Sequence, residues 1–197
     1  MKRSLLLALG LAAFAAPLAA QDLVASPPLA PNVEALPRLA GDTAIAKQIN
    51  ATLQLMDEQD LQSVTCEGQD PENASRSVKV LSNGPDFLSI LLSSGGACEG
   101  ASYPFSMNEL LNFDLETGSQ TDLLQFLPDG WADMINTDDP DADLLLGLYL
   151  EIAGEEGRDQ CEDILMNTSI GFELGLSEQE GQLVILPDGL LHIELGC

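Results

Sequence analysis

Three runs of alternating apolar and polar residues constrain this chain more than any other feature. Val78 and Val80 recur within 76–82, and Leu88, Ile90 and Leu92 recur within 87–93. Between them lies Asn83-Gly84-Pro85-Asp86, four turn-forming residues that predict a hairpin. The third run sets Leu111, Phe113 and Leu115 on one face and Asn112, Asp114 and Glu116 on the other, stopped by Thr117-Gly118. A period of two with one apolar set predicts a strand with one buried and one wet face. Turns of hairpin length leave no room for a crossover helix, so the strands are expected to pair antiparallel.

Helical periods flank these runs. Ile45, Ile49, Leu53 and Met56 recur at spacings of four, four and three, the stripe of an amphipathic helix, with Asp42 or Thr43 as its cap and an end near Asp60. A short helical turn is expected over 122–127, closed by Pro128, and Trp131 begins a second short segment. Leu144 to Ile152 is apolar on nearly every side, capped by Asp141 or Asp143 and ended by Gly154, which marks it as the expected central core helix. A short helical stretch to Asn167 follows Cys161. Further strands are expected around Phe172 and Leu174, over 183–186, and around Leu191, Ile193 and Leu195. Helix, strands, helix, strands is the order of an α+β fold, with a largely antiparallel sheet packed against two main helices.

The ends of the chain read differently. Lys2 and Arg3 precede an apolar run over 5–16 and Leu18-Ala19-Ala20, the pattern of a secretory signal peptide over residues 1–20. Residues 21–40 hold Pro27, Pro28, Pro31 and Pro37 and read as an extended Pro-rich linker, which leaves 41–197 as a single domain. The chain carries 32 acidic and 7 basic side chains, a formal charge of −25, and loss of Lys2 and Arg3 with the leader takes it to −27. Such a charge repels phosphate backbones and anionic lipid, so nucleic-acid and membrane-surface binding are not expected. No later run is apolar enough for a membrane span. A periplasmic or secreted monomer is expected.

An even number of cysteines in an exported chain predicts disulfides rather than metal thiolates. Cys66, Cys98, Cys161 and Cys197 allow three connectivities. Their spacing favours Cys66 with Cys98 and Cys161 with Cys197, each closing a loop whose constraint stabilises by about 3–4 kcal/mol in the chain-entropy model.

Candidate chemistry is sparse. Asp139, Asp141 and Asp143 alternate as in the opening of a calcium loop, but Leu144 and Leu150 occupy the positions of its glycine and its bidentate glutamate. His192 is the only histidine, and no nucleophile motif accompanies it. Asp114 and Glu116 are explained by alternation on a wet strand face. Ser93-Ser94-Gly95-Gly96 lacks the lysine of a phosphate loop and reads as a strand end. Trp131 is expected in the core, with Tyr103 and Tyr149 as its companions in any aromatic binding surface. No catalytic residue, metal site or cofactor is therefore expected, and the chain reads as a non-enzyme.

The run Leu111-Asn112-Phe113-Asp114-Leu115-Glu116-Thr117-Gly118, followed by Thr121-Asp122-Leu123-Leu124 and Phe126-Leu127-Pro128, resembles the signature of the RsiV-like domain. Cys98-Glu99-Gly100-Ala101-Ser102-Tyr103-Pro104 is similar to a Cys-Gly-Gly-Ala-His-Pro turn of that family, with one extra residue and Ser102 where the histidine stands. The domain occurs in lysozyme-sensing anti-sigma factor ectodomains and at the C-terminus of a peptidoglycan deacetylase. The resemblance implies an exported α+β domain with a structural Thr-Gly turn. An accessory or structural part in the envelope, with peptidoglycan fragments as a partner, is one role left open; the second, which the resemblance implies for its sensor branch, is capture of a basic protein such as a lysozyme-type muramidase. In the second role, Glu99, Ser102 and Tyr103 form the contact loop, held by a disulfide at Cys98.

Overall fold

The computed structural model describes residues 21–64, 74–97, 105–135, 143–151, 171–177 and 182–188. Alternation sets its central sheet. Strands β3 (Ala74–Asn83), β4 (Phe87–Gly96) and β5 (Phe105–Asp114) pair antiparallel in the order β3-β4-β5. The β3–β4 turn falls at the expected residues, closed by the Gly84 amide donating to Phe87 O at 3.0 Å. Leu81 is the extra residue of a bulge between Val80 and Ser82. Ser93 to Gly96 form the end of β4, as read from the sequence.

The first helix, α1 (Ala44–Val64), begins where Thr43 Oγ1 accepts the Ala46 amide at 3.1 Å. It runs about one turn beyond the expected end at Asp60. Ile49 and Leu53 of α1 pack with Leu88, Ile90, Leu92, Leu111 and Phe113 on one sheet face, and all are fully buried or nearly so. Burying each such side chain stabilises by about 1.5–3 kcal/mol, which makes this face the main core.

Residues 21–40 are extended, as the prolines require, but they are not a linker. The short strands β1 (Leu23–Val24) and β2 (Arg38–Leu39) pair with each other, and Val33, Leu36 and Leu39 are buried. This strap lies along the outer edge of β3. Val33 bridges Arg76 in parallel, the Arg76 amide donates to Asn32 O at 2.9 Å, and the Glu34 amide donates to Arg76 O at 3.0 Å. Proline accounts for the extension but says nothing of the apolar residues between, whose burial fastens the strap.

The other sheet face is covered too, which corrects the expectation that it is wet. Strands β6 (Gly171–Leu176) and β7 (Leu183–Asp188) form an antiparallel hairpin. A second helix, α2, covers 144–151 among the described residues. Leu145, Leu146 and Leu150 of α2 join Phe172, Leu174, Leu123 and Ile135 in a second cluster. Hence α2 does not centre the main core, which belongs to α1. The architecture is α+β with antiparallel sheets and two helices. No described helix is long and apolar enough to cross a membrane.

Candidate functional site

Each residue of the signature-like run has a defined place. Phe113 sits in the main core. Asn112, expected on a wet face, is buried: its Nδ2 donates to Leu174 O at 2.8 Å and its Oδ1 accepts from Ser89 Oγ at 2.5 Å. Ser89 Oγ also accepts the Leu176 amide at 3.1 Å, so one side-chain pair pins β6 to the sheet. Asp114 Oδ1 accepts the amides of Glu116 at 2.7 Å and Thr117 at 3.0 Å, closing the turn after β5. Those amides hold the Asp114 carboxyl below its ordinary pKa. The acid is thus a turn former, beyond what alternation requires. Gly118 ends the turn at φ 74°, a left-handed conformation that glycine adopts without strain, and an added Cβ would meet Ile45 and Gln48 at 3.4 Å.

Beyond the turn the chain doubles back along the outer edge of β5. Gln120 bridges Phe113, and the Thr121 amide donates to Asn112 O at 2.8 Å. Asp122 then caps a short 3-10 helix, Leu123–Phe126, by accepting the Leu124 amide at 2.9 Å. A second one, Ala132–Met134, starts after Trp131, so both short helices fall where the sequence places them. Trp131 itself is 38% exposed rather than in the core, while Tyr149 is half-buried with its ring 6.0 Å from Phe172.

Between this returning loop and β6 opens a pocket of about 530 Å³. Asp122 and Glu173 contribute carboxylates to its wall, Asn112 an amide, and Leu124, Phe172 and Leu174 apolar surface. Glu173 Oε2 accepts the Leu110 amide at 2.8 Å, so an acid of β6 closes the edge of β5. Glu34 does the same at the opposite edge, where its Oε2 accepts the Val78 amide at 2.8 Å. Both sheet edges therefore end on a carboxylate and a covering segment, which blocks edge-to-edge pairing.

The most buried polar constellation was not foreseen. Arg76, its side chain 0% exposed, pairs with Asp57 through Nη2 and with Asp60 through Nη1 at 2.9 Å. Arg38 Nη2 reaches the other Asp57 oxygen at 2.6 Å, and Asp57 Oδ1 also accepts the Leu36 amide at 3.0 Å. Burial raises the Asp60 pKa above its ordinary value, opposed by Arg76 and reinforced by Asp57. The cluster fastens strap, helix and β3 at one point. A signal for it exists in the sequence: Asp57 continues the Ile49, Leu53 spacing of four, and Arg76 continues the inward alternation of Val78 and Val80. Opposite charges on two apolar stripes mark a buried pair.

Asp143 caps α2, its Oδ1 accepting the amides of Leu145 at 2.9 Å and Leu146 at 3.0 Å. It thus decides between the two expected caps. Among the described residues no group of three or more His, Cys, Asp or Glu is placed to hold a metal ion. Cys66, Cys98, Cys161, Cys197, Glu99, Ser102, Tyr103 and His192 lie outside the described residues, as do the helical stretch near Asn167 and the strand around Ile193. The chain matches no family model and no curated protein.

Proposed function

We propose that this chain is an exported, non-catalytic module of the cell envelope, periplasmic or secreted, with an accessory or structural role at the cell wall. The carrying observation is where its charged groups sit. The deepest ones, Arg38, Asp57, Asp60 and Arg76, bind the fold to itself. What supports the reading is that Asn112, Phe113, Asp114 and Gly118 of the signature-like run each have a packing or turn-forming task. Two disulfides, Cys66 with Cys98 and Cys161 with Cys197, belong to the same proposal, and peptide mapping without reduction tests them. Retention of the purified protein on washed sacculi at about 0.15 M salt, where charges are screened beyond about 8 Å, is the expected result. Release at that salt overturns the wall-associated role.

A second reading rests on the charge of −25. In it the protein captures a cationic lysozyme-type muramidase through Glu99, Ser102 and Tyr103. Calorimetric titration with such a lysozyme, beside a muramidase assay, tests it. Binding that survives physiological salt, suppresses lysis and is lost in the Glu99→Lys, Tyr103→Ala double variant supports it. Binding that fades with screening overturns it.

A further inference from the structure

The turn between β3 and β4 holds a reactive pair. Asn83 is the only asparagine of the chain that is followed by glycine. In such a pair the glycine nitrogen can attack the asparagine Cγ, because no side chain shields it. A bond forms between Gly84 N and Asn83 Cγ, the Cγ–Nδ2 bond breaks, and ammonia leaves a cyclic imide behind. Water then opens the imide at either carbonyl, which gives aspartate or isoaspartate. The turn itself does not require glycine here. Gly84 precedes a proline, its φ is not left-handed, and an added Cβ would meet only Phe87 O, at an ordinary 3.6 Å.

Three restraints keep the two atoms apart in the folded chain. Asn83 is the last paired residue of β3, in register with Leu88, which holds its backbone extended. Its side chain is bonded through both atoms: Oδ1 accepts the Gln21 amide at 3.2 Å and Nδ2 donates to Gln21 O at 2.6 Å. The Gly84 amide, which is the nucleophile, donates to Phe87 O at 3.0 Å. Of the three, the clamp on Gln21 lies where the strap is held least. Beside it, β1 pairs through Leu23 and Val24 alone, and Val24 is 55% exposed, so this corner opens at lower cost than the core.

We propose that Asn83 is a site of spontaneous deamidation whose rate is set by release of the Gln21 end of the strap. Conversion runs one way. The product has lost the Nδ2 donor and turns a carboxylate towards Gln21 O, so the clamp does not re-form and the strap end stays free. The site rests on neither reading of the protein's role.

Peptide mapping by mass spectrometry, after incubation of the purified full chain at mildly alkaline pH, tests the proposal, with isoaspartate methyltransferase labelling to identify the isomer. Conversion is expected at Asn83 and not at Asn32, which is exposed but followed by the β-branched Val33. It is expected to be about tenfold or more slower in the folded chain than in urea above the unfolding midpoint. Gly84→Ala is expected to fold like the parent and to slow conversion in both states. Leu23→Ala, which loosens β1 where it packs on the main core, is expected to speed conversion in the folded chain and to leave the rate in urea unchanged. Absence of conversion at Asn83 in urea would overturn the site. Equal rates in the folded chain and in urea, or a folded rate that Leu23→Ala does not change, would overturn control by the strap. Hydrogen exchange on Asn83→Asp reads the outcome of the reaction. The Ala40 amide, which donates to Asp22 O at 2.7 Å, is expected to exchange faster while Ile90 and Leu111 keep their protection. Parent-like protection at Ala40 would overturn the freed strap end.

Discussion

Asp57 shows how much one side chain can hold. Its carboxylate meets Arg38, Arg76 and the Leu36 amide, so its loss leaves the fully buried Arg76 facing Asp60 alone, with Nε already lacking a hydrogen-bond partner. An uncompensated buried cation is costly, and Asp57→Ala is expected to destabilise by about 3–5 kcal/mol, read from the urea midpoint. Gly118→Ala forces a Cβ onto a left-handed residue beside Ile45 and Gln48, an expected loss of about 1–2 kcal/mol in the same measurement. Asp114 sets a pH dependence of definite sign. Its pKa is depressed in the folded chain, so the unfolded chain binds more protons below the ordinary carboxylate value. The stability it contributes is present above its unfolded pKa, near 3.8, and is lost as pH falls through the folded value. Between pH 4 and 2, Asp114→Asn is expected to lose stability with a shallower slope than the parent, compared at each pH by urea titration.

At the scale of elements, the joint between sheet and hairpin is the informative one. Ser89 and Asn112 hold β6 together, the first by the Leu176 amide and the second by Leu174 O. Ser89→Ala and Asn112→Ala are each expected to cost about 1–3 kcal/mol, with a coupling of about 0.5–3 kcal/mol in the double-mutant cycle, since each leaves the other's polar group buried. Local elements were legible in the sequence because their causes are local. The β3–β4 turn, the Asp122 cap and the start after Trp131 follow from residues within a few positions of one another. Asn112 was misread because its partner strand lies about sixty residues away and no period of two reports what covers a face. The strap was misread for the same reason, since its prolines are local signals while Val33 and Leu36 answer to Arg76 and Asp57. Trp131 shows the converse, where type alone placed in the core a residue that the fold leaves partly open. Of the candidate site, Asp122 was visible as part of the signature-like run, whereas Glu173 became a neighbour only through the packing of β6 on β5.

For the whole molecule the shortage of cations is decisive. Of 7 basic side chains, Lys2 and Arg3 lie in the leader-like segment, and Arg38 and Arg76 are drawn into the buried cluster. Lys47 pairs with Asp42 at 3.0 Å on the surface. Lys79 is exposed and Arg158 lies outside the described residues, so the 32 acidic side chains have few cations to offset them and their mutual repulsion opposes compaction. Raising sodium chloride from about 0.01 to 0.5 M, which shortens the Debye length from about 30 Å to a few ångströms, is expected to raise the melting temperature in calorimetry. The strap carries a consequence in time. Chains are synthesised from the N-terminus, so residues 21–40 emerge before the segments they pack on: Leu36 waits for Asp57, Glu34 for Arg76, and Gln21 for Asn83, whose side chain brackets its backbone at 3.2 and 2.6 Å. Val33 pairs with Arg76, and Leu36 and Leu39 pack on Leu88, Ile90 and Leu92, so the buried residues of the strap are fully covered only after the β3–β4 hairpin has appeared. The strap therefore depends on segments made after it, and its full seating is expected to follow formation of α1 and the β3–β4 hairpin.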